Sequence, residues 1–115
     1  MTDFQLATAF AEAPHYTDPD TYVSDLLLSA AFLPAEDPDA QPDLALDAPL
    51  RRIWRTVNAP FRELLGDLGL RQTELARRYG IPLRTVQRWA AGDTECAPYI
   101  RRMIAELAGY VPQPD

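Results

Sequence analysis

Five side chains in "PLRTVQRWAAG" carry the most specific chemistry this chain offers. If Leu83 to Ala91 is helical, Val86 and Trp89 turn inward at a spacing of i, i+3. Leu83, Arg84, Thr85, Gln87 and Arg88 are then left outward. Guanidinium forks, an amide, a hydroxyl and one apolar tip on a single helix match the acceptors and apolar groups of a DNA major groove. Other chemistries lack material. Cys96 is the only cysteine and His15 the only histidine, so a disulfide and zinc or haem ligation have no residues to use. No paired carboxylates, Ser–His set or metal-ligand cluster stands at useful spacing. The expectation is a binding protein, not an enzyme, with no cofactor and no metal.

The elements that must hold those side chains are written just before them. Gln72 to Tyr79 places Leu75, Ala76 and Tyr79 on one face. Gly80 follows where a left-handed residue ends a helix cheaply. Ile81 fills the turn, and Pro82 suits the opening of the next helix. Ala76 is small enough for two steeply crossing helices to approach closely. Upstream, "PLRRIWRTVN" spaces Leu50, Ile53, Trp54 and Val57 at i, i+3, i+4 and i+7, and "PFRELLGDLG" repeats the spacing with Phe61, Leu64, Leu65 and Leu68. Downstream of Pro98, Tyr99, Ile100, Met103, Ile104 and Leu107 give a wide apolar face that fits the bundle and a second subunit. Nothing alternates with period two, so the class is all-α.

The ordered stretch "GLRQTELARRYGIPLRTVQRWAAGDTECAPYIRRMI" resembles the helix-turn-helix of phage-repressor (Cro-type) transcription regulators. Its matching features are Gln72, Leu75-Ala76, Gly80-Ile81, Thr85-Val86, Trp89, Gly92 and Pro98, within roughly residues 60–108. The resemblance implies a bundle of about five helices that binds operator DNA as a dimer. It implies base contacts from Leu83, Arg84 and Arg88, and backbone contacts from Gln72, Thr85 and Gln87, with Gln72 also bracing the reading helix. Two positions depart from the pattern: Ala90 replaces a common Glu, and Leu83 stands where a polar residue is usual.

The first half of the chain has a different texture. Residues 1–50 hold ten acids and no Lys or Arg, whereas residues 51–106 hold all eleven Arg against six acids. The net charge of −6 therefore hides a basic half. Asp3 to Ala13 reads as a short helix ended by Pro14. "DPDTYVSDLLLSAAFLP" reads as a helix capped by Asp18 and running to Leu33, with Tyr22, Val23, Leu26, Leu27, Ala30 and Leu33 as an apolar stripe. "PAEDPDAQPDLALDAP" reads as an extended linker. The apolar run Leu26 to Leu33 is too short to span a bilayer and follows acids, so neither a membrane segment nor a signal peptide is expected, and the default compartment is the cytoplasm.

The expected organisation is an acidic helical arm with its linker over residues 1–48 and a helix-turn-helix domain over 49–115. The expected function is a cytoplasmic, homodimeric, sequence-specific DNA-binding repressor that reads the major groove of double-stranded DNA with the helix Leu83–Ala91. One alternative is an adaptor or antitoxin-like protein that grips a protein partner through residues 19–33. Another is a transposase-type DNA-binding fragment, against which stands the lack of room for a catalytic domain.

Overall fold

Proline, glycine and short polar caps decide where the helices of this chain begin and end. The computed structural model describes residues 1–115, and they form an all-α fold with no strand. The helices are α1 (Asp3–Glu12), α2 (Pro19–Leu27), α3 (Asp47–Asn58), α4 (Phe61–Leu68), α5 (Gln72–Tyr79), α6 (Leu83–Ala91) and α7 (Pro98–Leu107). They divide between two compact units: residues 1–58 with 111–115, and residues 59–110. No helix is long and apolar enough to cross a membrane.

In the first unit α1 opens with a reciprocal cap. Thr2 Oγ1 accepts from the Gln5 N–H at 3.1 Å, and Gln5 Oε1 accepts from the Thr2 N–H at 3.0 Å. The Asp18 carboxylate caps α2 by accepting the N–H groups of Asp20 and Thr21 at 3.3 and 3.1 Å, and Pro19 occupies the first turn. The expectation that this helix runs to Leu33 is corrected, because α2 ends at Leu27. Ser29 turns its hydroxyl onto the Leu26 carbonyl at 2.7 Å, and its own N–H reaches the same oxygen at 3.0 Å. A serine that bonds its local backbone in this way offers the chain an alternative to further helix. Tyr22, Val23, Leu26 and Leu27 are buried, but Ala30 drops off the stripe and is exposed.

Helix α3 begins at Asp47, two residues before the proline that the sequence reading took as its start. Its buried Leu50 and Ile53 pack this helix with α1 and α2. Two long-range bonds fix it there: the Trp54 indole N–H donates to the Tyr16 carbonyl at 2.9 Å, and Asn58 Nδ2 donates to the Ala13 carbonyl at 3.0 Å. Arg51 adds an ionic clasp, holding Asp47 at 2.7 Å and Asp20 at 2.5 Å. The helix grouped with residues 49–115 on sequence therefore belongs with the N-terminal 58 residues. The acidic stretch before it carries one short 3₁₀ turn, Leu44–Leu46.

In the second unit α4 to α7 enclose Phe61, Leu64, Leu65, Leu75, Val86, Cys96 and Ile104. Pro60 and Pro82 stand at the N-cap positions of α4 and α6, with extended ψ values of 140° and 131°. Pro82 thus sits one place earlier than a proline inside the first turn. The Arg101 guanidinium is folded back to donate to the Ala59 carbonyl, and the Tyr110 hydroxyl donates to Asp67 at 3.0 Å.

Candidate nucleic-acid interface

The turn between α5 and α6 is set by one glycine. Gly80 adopts φ +67°, in the left-handed region where a Cβ is strained, and this lets the chain reverse within three residues. The Gly80 and Ile81 N–H groups both return to the Ala76 carbonyl, the second at 3.0 Å. Ala76 is half-buried against the core, as its small size requires at a close crossing. Helices α5 and α6 then pack on each other through Leu75 and Val86, neither of which retains solvent exposure.

That packing orients α6. Trp89 lies edge-to-face on Phe61, with ring centroids 5.4 Å apart at 75°. Opposite this buried side, Leu83, Arg84, Gln87 and Arg88 are exposed. They form two adjacent rows, Leu83 with Gln87 and Arg84 with Arg88, each pair one helical turn apart. Thr85 lies at the edge and is half-buried. Five of the six expected site residues are therefore on α6, with Thr85 less open than the sequence reading placed it. Gln72 is half-buried at the head of α5 and has no hydrogen-bond partner in the chain. No hydrogen bond joins Gln72 to α6.

The arginines fall into two sets by their partners. Arg51 is clasped by two carboxylates, Arg101 donates to a carbonyl, and Arg102 holds Glu106 at 2.8 Å. Burial also holds the Arg101 guanidinium below its ordinary pKa. Arg77, Arg78, Arg84 and Arg88 are exposed and make no ion pair with any carboxylate of the chain. Across residues 70–92 there are five Arg and one acid, Glu74, which lies a loose 3.8 Å from Arg71. The basic excess is thus concentrated on α5 and α6. Over the second unit as a whole it is small, eight Arg against six acids, because Arg51, Arg52 and Arg55 belong to the first unit.

Arg77 and Arg78 are exposed on α5, between Leu75 and Tyr79, which face the core. Cys96 is a core residue whose thiol burial pushes up to about 11. Trp54 and Trp89 are half-buried and His15 is exposed. On α7, Tyr99, Met103 and Leu107 form an exposed apolar row while Ile104 and Ala105 are buried. No three or more His, Cys, Asp or Glu side chains are grouped to hold a metal ion. Comparison of the chain with protein-family models, curated proteins and solved structures finds no match.

Proposed function

We propose that this protein is a cytoplasmic, sequence-specific DNA-binding repressor of the helix-turn-helix type, with α5 and α6 as its motif and α6 as the helix that enters the major groove. The second unit holds four helices, α4 to α7, against the five or so of the phage-repressor type, and α3 packs with α1 and α2. The observation that carries the reading is the outward pair Arg84 and Arg88. They stand one turn apart on α6, unpaired by any carboxylate, while Val86 and Trp89 anchor the opposite side of the same helix. A guanidinium left without a partner on a helix held by its own core is pre-organised for bidentate contact with guanine O6 and N7. Arg77, Arg78, Thr85, Gln87 and Gln72 supply donors for the flanking phosphates.

One such helix reads few base pairs, and a two-fold pair reads two half-sites. The row Tyr99, Met103 and Leu107 suits a second copy of this chain. Its members are spaced evenly by one turn, so a two-fold axis through Met103 sets Tyr99 of one chain against Leu107 of the other. The patch is short, and the pair forms weakly in solution and more firmly on DNA. Met103→Glu lowers the DNA-bound stoichiometry from two chains to one.

The expected protein partner at residues 19–33 would meet a face already in use. Tyr22, Val23, Leu26 and Leu27 are buried in the first unit, so an adaptor acting there must displace α3.

Selection from a duplex library with a randomised centre tests the reading directly. The full chain enriches a defined sequence, and its affinity for that duplex falls roughly 100-fold between 50 and 200 mM salt if about four phosphates are neutralised. Failure to enrich any sequence, or binding indifferent to salt, overturns the proposal.

A further inference from the structure

Leu83 is the one apolar side chain among the exposed residues of the α6 outer rows, and 39 % of its surface is open to solvent. Beside it are Arg84, Gln87 and Arg88, none of which has a partner within the chain. An apolar protein surface fits this setting badly, because covering Leu83 would also strip water from two unpaired guanidinium groups. The matching surface offers acceptors and negative charge with an isolated apolar group among them. The apolar group on the major-groove edge of DNA is the C5-methyl, beside the O4 acceptor in thymine and beside the N4 amino donor in 5-methylcytosine.

Taking α6 as the reading helix, as proposed above, we infer that Leu83 reads the C5-methyl group of thymine or 5-methylcytosine, next to the guanine held by Arg84. Leu83 and Arg84 are consecutive in the first turn of α6. Their rise of about 1.5 Å is less than the roughly 3.4 Å between base pairs, so they address the same or neighbouring pairs. Leucine has no hydrogen-bonding group with which to sort bases. The methyl is the feature it can detect. The site is then a methylpyrimidine beside a guanine, and where that pyrimidine is cytosine, methylation strengthens binding.

The duplex enriched by the full chain is resynthesised with uracil replacing each thymine in turn, which removes the methyl and keeps the base pair. Cytosine and 5-methylcytosine are compared at the sensitive position, each opposite guanine. The expected result is a loss of about fourfold on one thymine-to-uracil change, the worth of one buried methyl. The sensitivity is absent in Leu83→Ala and retained in Leu83→Met, with helical content unchanged in both. An equal gain from 5-methylcytosine over cytosine assigns the contact to the methyl on either base, and a gain confined to thymine assigns it to thymine. A selected duplex indifferent to every uracil, or sensitivity that survives in Leu83→Ala, overturns the methyl contact and leaves α6 as the reading helix. Enrichment of no sequence overturns both.

Discussion

The same side chain, arginine, is used in opposite ways at two places in this molecule, at Arg51 on α3 and on the helices α5 and α6. At the first, Arg51 is held by Asp20 and Asp47, so its charge is answered within the fold. At the second, Arg77, Arg78, Arg84 and Arg88 are carried out to solvent on helices whose other faces are buried. Apolar surface does not divide in this way, for Phe4, Leu28 and Leu44 are open in the first unit as Tyr99, Met103 and Leu107 are in the second. Charge count alone misses the difference between the arginines, because the second unit has an excess of only two arginines over its acids. What marks a binding surface is charge with no internal partner on a rigid support.

The largest effect that tests this division is on the core beneath α5 and α6. Leu75 has no exposed surface, so Leu75→Ala removes fully buried methyl groups and leaves a cavity. The expected loss is about 2–5 kcal/mol of unfolding free energy. Each unit has one tryptophan, Trp54 and Trp89, so single-tryptophan variants report on each in a denaturant titration. The Trp89 transition moves by that amount and the Trp54 transition by less. An equal shift in both would break the comparison by merging the units into one cooperative structure.

The next effect distinguishes the two sets of arginines. Arg84→Ala and Arg88→Ala each lose about 1–3 kcal/mol of discrimination between the selected duplex and random DNA, with the fold retained. Arg51→Ala leaves that discrimination unchanged and lowers thermal stability, since its partners are in its own unit. Gln72→Ala weakens both duplexes by a similar factor, as a positioning contact does. A specificity ratio unmoved by Arg84→Ala and Arg88→Ala would place the reading surface elsewhere. Gly80→Ala comes third. Nothing lies within 4 Å of the added Cβ, so the cost is that of the left-handed backbone alone, about 1–2 kcal/mol on the Trp89 transition.

How much of this was legible in the sequence follows from which interactions are local. The limits of α5 and α6 matched the reading, because their core positions, Gly80 and Pro82 are all signals within a few residues. The outward placement of Leu83, Arg84, Gln87 and Arg88 follows from the same periodicity. Where α2 ends was misread because a Ser29 hydroxyl competes with the helix for a carbonyl, which apolar spacing does not register. The allegiance of α3 was misread for a different reason. Its apolar face could be seen, but not that α1 and α2 would cover it, which rests on bonds such as Trp54 to Tyr16, 38 residues apart. Counting its three arginines with the basic half then overstated the charge of the reading domain.

The smallest expected effect is electrostatic and belongs to the first unit. The Asp18 carboxylate is held below its ordinary pKa, first by the Thr21 hydroxyl, which donates to it at 2.8 Å, and then by the Thr21 N–H. A carboxyl with a lower pKa folded than unfolded binds fewer protons in the native state. Its charge therefore adds stability above the unfolded value of about 3.9 and loses that contribution as the pH falls through the folded value. Asp18→Asn isolates the effect, because asparagine caps a helix about as well as aspartate but carries no charge to titrate. At pH 7 the native chain melts slightly above the Asp18→Asn variant, and the gap closes as the pH falls below about 4. The other acids titrate in both proteins and cancel in the difference. Raised salt narrows the gap at pH 7, since the site is exposed and screened. A melting difference constant from pH 7 to pH 2 would show that Asp18 acts as a neutral cap.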